Sequence, residues 1–313
     1  AATLRYLRML GLAAAVAGLA ACASASSSSA SAPPTKIPIG AAGGVLVSAY
    51  GSLWTTDLLL DRLVRIDPQA GRISGKTRVG WRPYGLAAGA RSIWVASQQG
   101  DTLARVDPQT LKVTRRIHVG SRAFAAAFGA GSVWVSLEAD GTVVRVDPRR
   151  NRVVARIRGF GDPNGLVYAR GALWVSDLAR GRVVRIDTHT NRITARVAVP
   201  AADWITAGDG ALWVSSERNR VYRLDPRTRK VLGSVRVGKN PLASAWVTGG
   251  RFGGELWVPN IDANTISVVD PSHRAVSRTI PAGNAPLAVL PTAAGVFASM
   301  SNDGAVWRLD ATD

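Results

Sequence analysis

The chain of 313 residues contains one cysteine, two methionines and three histidines. With no second cysteine there is no internal disulfide, so stability rests on packing. No Ser/His/Asp set is proposed on His118, His189 or His273, and no spare cysteine serves as a nucleophile. Acidic residues are also scarce, 21 against 39 lysines and arginines, for a formal charge of +18. Long apolar runs are few, which excludes a multi-spanning membrane protein, and a composition 47% hydrophobic and 19% charged excludes a disordered chain.

One apolar stretch does occur, Met9 to Ala21, preceded by Arg5 and Arg8. It is shorter than the roughly 20 residues of a bilayer span and has the order of a secretory signal: basic flank, apolar centre, small residues. It ends in Leu19-Ala20-Ala21-Cys22, and Cys22 is the one cysteine. Residues 23–34, ASASSSSASAPP, have nothing to bury and read as a tether with an r.m.s. reach of about 20 Å. The division expected is a signal over 1–21, a tether over 22–34 and one folded domain over 35–313.

Half of the twenty aromatic residues are tryptophan, and their phase organises the chain. Trp54, Trp94, Trp134, Trp174, Trp213, Trp257 and Phe297 follow one another at intervals of 40, 40, 40, 39, 44 and 40 residues. Downstream of each comes an aspartate: Asp67, Asp107, Asp147, Asp187, Asp225, Asp270 and Asp310, five of them followed by proline. A period near 40 with strand-like content fits a propeller blade of four strands. In the second period YGLAAGA, SIWVAS, TLARVDP and LKVTRRIHVG read as strands A to D, joined by turn-rich links. The fold class expected is all-β, a seven-bladed β-propeller of four-stranded antiparallel blades. After Asp310 the seventh period lacks a strand D, and TKIPIG, residues 35–40, matches RTIPAG, residues 278–283. The N-terminal segment 35–40 therefore completes the last blade and closes the ring, which leaves no open edge. Each repeated tryptophan reads as a wedge between blades, and each Asp-Pro as a turn former. The arginine two before the aspartate (Arg65, Arg105, Arg145, Arg185, Arg223, Arg308) reads as a solvated ladder whose exposed ion pairs are worth about 0–1 kcal/mol.

The pattern Gly-x-Leu-Trp-Val, a basic residue before Ile-Asp-Pro, then Val-Gly-x-x-Pro before Gly-Leu-Ala, resembles the YVTN-type propeller repeats over residues 35–313. It is also similar to the streptogramin (virginiamycin B) lyase family, and Leu-Ala-Ala-Cys resembles a bacterial lipobox. The lipobox implies diacylation of Cys22, export, and anchorage to the outer face of a bacterial membrane, for which two or more acyl chains are needed. The lyase resemblance implies a histidine base with an acidic residue and magnesium at the channel mouth. His118 falls in an outer strand D, and His189 and His273 follow C–D turns on the opposite face, so none matches that base.

Function is expected where the repeat stops repeating, in the D–A loops at the mouth. There Gly44, Tyr84, Phe124, Asn164, Asp203, Leu242 and Leu287 form a ring, and Arg82, Arg122, Asp162 and Trp204 stand beside it. Aromatic and arginine side chains suit a planar or anionic ligand. The ligand-binding set expected is Arg82, Tyr84, Arg122, Phe124, Asp162, Asn164, Asp203 and Trp204, on one side of the mouth only. Asp57, Asp177, Glu138 and Glu217, near the ends of strands B, could with Asp162 and Asp203 offer oxygens to calcium or magnesium. No catalytic residue is assigned. The role expected is a monomeric binding or scaffold module for a protein, an anionic envelope polymer or a small ligand. The alternative is a lyase- or lactonase-like enzyme with a divalent metal in the channel. Nucleic acid rests on charge alone and conflicts with export.

Overall fold

The structure, a computed structural model, describes residues 34–248 and 253–309. The signal, Cys22, most of the tether and Asp310 lie outside the described residues. Seven four-stranded antiparallel sheets follow one another along the chain, each in the order A-B-C-D. The second runs Pro83–Gly89, Ser92–Ser97, Thr102–Val106 and Val113–His118, as the turn-rich links require. The seventh takes its fourth strand from the start of the described chain: Thr35–Pro38 pairs antiparallel with Ala305–Leu309, Ile37 opposite Val306. The ring closes as the repeat demands. The long interval of 44 falls in blade 6, whose strand A shrinks to Ala245–Val247. Among the described residues no helix is long and apolar enough to cross a membrane.

Strands B are buried along almost their whole length because each sheet is covered on both faces by its neighbours. The six repeated tryptophans and Phe297 are at most 2% exposed. Three indoles donate Nε1–H to the carbonyl five residues earlier, Trp54 to Ala49, Trp94 to Gly89 and Trp134 to Gly129. Blades approach closely at the end of strand A, where a Cβ on Gly129 would lie 2.1 Å from Cγ of Tyr168 in the next blade. Glycine is therefore required there by contact. Strand-B serines add a polar link: Ser136 Oγ donates to Asn164 O at 2.9 Å and Ser215 Oγ to Leu242 O at 2.8 Å, each in the following blade.

The arginine ladder is in part a correction. Arg65, Arg105 and Arg145 are half-buried and bond to the next blade, whereas Arg185 bonds Thr194 and Arg223 forms the expected ion pair, with Asp209 at 2.6 Å, within their own blades. The guanidinium of Arg105 lies 5.1 Å from the Trp94 ring and that of Arg145 5.2 Å from Trp134. Arg105 Nη1 donates to Pro148 O at 2.9 Å and Asn151 Oδ1 at 3.0 Å; Arg145 Nη1 donates to Thr188 O at 2.9 Å and Asn191 Oδ1 at 3.1 Å. Each acceptor is in the C–D turn of the next blade, so in blades 1 to 3 the arginine clamps that turn to its own wedge. The aspartates do form turns: Asp107 Oδ1 accepts N–H from Gln109 and Thr110, and Asp147 Oδ1 from Arg149 and Arg150. Those donors hold both carboxyls below the ordinary aspartate range.

Candidate functional site

The D–A and B–C loops converge on one end of the channel and enclose a cavity of about 600 Å³. Its wall starts in blades 2 and 3 with Tyr84 and Phe124, whose rings stack with centroids 4.3 Å apart and planes 19° from parallel. Both are nearly buried, so they form a rigid aromatic corner. Arg122 and Glu138 stand beside them and pair at 3.0 Å, and Glu138 also accepts from Gln98 Nε2 at 3.1 Å. Blades 4 and 5 add Asp162, Asp203 and Glu217.

Tyr84, Arg122, Phe124, Asp162 and Asp203 thus line the cavity as expected, and Glu138 and Glu217 join them. Arg82, Trp204 and Asn164 are not among its lining residues. Arg82 has φ +48°, and its backbone N–H donates to Asp61 Oδ1 at 3.0 Å. Trp204 packs against the hydrophobic core. Asn164 is fully buried in the ring between Phe124 and Asp203, and neither its Nδ2 nor its Oδ1 has a hydrogen-bond partner among the described residues. A buried amide left so costs about 1–3 kcal/mol.

The wall is not one-sided. Blades 6 and 7, expected to offer only small and apolar groups, contribute Lys239, Asn240, Asp262 and Asn264, then Asn284, Ser301 and Asn302. With Asn219 of blade 5 this makes an arc of five asparagines. Two of them double as braces between loops: Asn219 Oδ1 accepts from Asn240 N and Asn264 Oδ1 from Ala285 N, at 3.0 and 2.9 Å. Their φ values of +59° and +53° suit asparagine. The signal was legible in KNPL and NAPL, where asparagine recurs just ahead of the ring leucines Leu242 and Leu287, and in the asparagines after strands B.

Of the carboxylates considered for a metal, Asp57 and Asp177 are loop braces away from the cavity. Both are fully buried at the end of strand B. Asp57 accepts N–H from Ala41, Ala42 and Leu60. Asp177 Oδ1 accepts N–H from Gly161 at 2.9 Å and Asp162 at 3.1 Å, and its Oδ2 takes Arg182 Nε at 2.9 Å. Among the described residues no three His, Cys, Asp or Glu side chains converge as a metal-binding group.

None of the three histidines lines the cavity. His118 ends an outer strand opposite Thr102, and His189 and His273 sit in C–D turns. His273 Nδ1 lies 2.6 Å from Asp270 Oδ2, and this bond, then the carboxylate's charge, raises the histidine pKa. Asp270 is lowered in turn, first by the Ser272 hydroxyl and then by His273. The pair's contribution is full below the unfolded histidine pKa of about 6.5 and is lost as pH rises through the higher folded value. An NMR titration of His273 is expected to have its midpoint above about 6.5, and Asp270→Asn to return it to that ordinary value.

No family profile and no curated protein matches the chain. Solved structures do. A streptogramin B lyase structure superposes with a TM-score of 0.76 at 16% identity, covering 89% of this chain and 97% of the other. The Kuenenia stuttgartiensis hydrazine synthase superposes with a TM-score of 0.73 at 13% identity, covering 92% and 100%. At such identities the likeness is one of fold, and by fold this chain is a seven-bladed, streptogramin lyase-like β-propeller.

Proposed function

We propose that this chain is a non-catalytic binding propeller, exported and held to the outer face of a bacterial membrane through lipid on Cys22. Its mouth cavity receives a small ligand or a segment of an envelope polymer or protein. The observation that carries the reading is the cavity itself: about 600 Å³, at the end of the channel where the loops depart from the repeat. That volume is within the range of small-molecule sites, and its mix of an aromatic corner and several polar groups is what such sites use for orientation. In this reading residues 22–34 are the segment that links the lipid to the propeller.

The enzyme reading, a lyase or lactonase with a divalent ion, draws on the likeness of fold to streptogramin B lyase. Fold alone does not transfer activity. One experiment separates the two. Envelope extract is fractionated against the purified protein, and ligand binding is followed by thermal shift in the parent and in Asn284→Trp, which fills the cavity from an exposed position. Binding is expected to vanish in the variant with the unliganded melting temperature unchanged. Turnover of the bound molecule on addition of millimolar magnesium or calcium, abolished by Asp162→Asn, would establish the enzyme instead.

A further inference from the structure

The charge of the cavity has the opposite sign to that of the protein. The seven outer strands carry fourteen lysines and arginines and no aspartate or glutamate. The cavity wall holds five carboxylates, on Glu138, Asp162, Asp203, Glu217 and Asp262, against two cations, for a formal −3. One of those cations, Arg122, is spent on Glu138 at 3.0 Å. In a chain of net +18 an acidic concavity focuses a negative potential on its contents.

We infer that the mouth cavity selects an organic cation: an ammonium group on a planar or apolar body. This rests on the mouth being a binding site and names the class of ligand. The body stacks at the Tyr84–Phe124 corner, the only aromatic side chains of the wall. The ammonium turns toward blades 4 to 6, where four of the five carboxylates are. Asp203 is the strongest of these determinants, being 2% exposed in the ring itself. Asn164 lies behind it, fully buried and off the cavity wall, its amide without a protein partner among the described residues, so any coupling to the ligand runs through Asp203 and not by direct contact. An anionic ligand, which the arginines alone suggested, meets the wrong sign here.

The test uses three indoles of one shape and different charge: tryptamine, tryptophol and indole-3-propionate. Each is titrated into the purified full-length chain by calorimetry, at low and at high salt. Tryptamine is expected to bind about tenfold more tightly than tryptophol, and the acid more weakly than either. Salt weakens tryptamine alone. Glu217→Gln and Asp262→Asn, both at exposed positions, each reduce tryptamine affinity by up to about fivefold and leave tryptophol unchanged. If tryptophol or the acid binds as well as tryptamine, or if neither variant moves the preference, the cation inference is wrong. The mouth still stands as a site in that case, provided Asn284→Trp removes the binding observed. If no indole binds at millimolar concentration, the reading of the mouth as a site for such ligands falls with it.

Discussion

Trp134→Ala is expected to destabilise the propeller by about 3–5 kcal/mol, a large share of the roughly 5–15 kcal/mol available to a folded domain. The indole is completely buried between two blades, so its loss removes apolar area and leaves a cavity that fixed backbones on both sides have little room to close. Two further losses attach to it. Gly129 O gives up the indole N–H donor at 3.1 Å. Arg145 gives up the ring beneath its guanidinium, and with it the preorganisation of the bonds to Thr188 O and Asn191 Oδ1 in the next blade. Denaturant unfolding should show a lower midpoint with an unchanged slope. Leu59→Ala, at a residue 47% exposed, is the control and should leave the midpoint alone. A small shift for Trp134→Ala would mean that the blades are held by their loops.

Asp177→Ala is expected to cost about 3–5 kcal/mol, the range for breaking a buried, hydrogen-bonded ion pair by removing one partner. The carboxylate is fully buried, and its loss strands the N–H groups of Gly161 and Asp162 and the Nε–H of Arg182. Asp177→Asn should cost less, because Oδ1 still accepts the two backbone donors while the amide opposes Arg182 poorly. Since Asp162 lines the cavity, both substitutions should also weaken binding at the mouth in proportion to the displacement of its loop. Urea midpoints and calorimetry on the same samples check the two effects. A variant that folds like the parent but loses calcium or magnesium uptake would identify Asp177 as a metal ligand after all.

The fold was legible because it is written seven times. Phase alone locates Trp54 to Phe297, and the missing strand at one end with its counterpart at the other predicts that residues 35–40 complete the last blade, which they do with Ile37 opposite Val306. In blades 1 to 3 the arginine ladder was misread because one strand in isolation shows Arg105 and Asp107 on a common face and says nothing of the adjacent blade, where Pro148 O lies. The mouth was legible in part. Tyr84, Phe124 and Asp203 were found by aligning each loop to its aromatic. Trp204 failed for a physical reason: it occupies the slot held by Gly85, Ala125 and Gly165 in its neighbours, just after the ring residue. A Cβ at Gly85 or Gly165 would meet the backbone of the next blade, so that slot faces the packing between blades. A register shift between Ala202 and Trp204 marks the same spot, and at a bulge, alternation no longer tells one face from the other. The asparagine arc was missed because only one position per D–A loop was aligned, and Asn240 and Asn284 stand two and three residues ahead of the ring leucines while Asn219, Asn264 and Asn302 are in B–C loops.

Central to this account is that the mouth, and not the repeated framework, carries the function. The direct measurement is a structure of the protein purified after exposure to extract of its own envelope. The account predicts an organic molecule in the cavity, its body at Tyr84 and Phe124 and a basic nitrogen toward Asp203 and Glu217. A mouth holding water alone, with the ligand bound instead along the arginines of the outer strands, would contradict it.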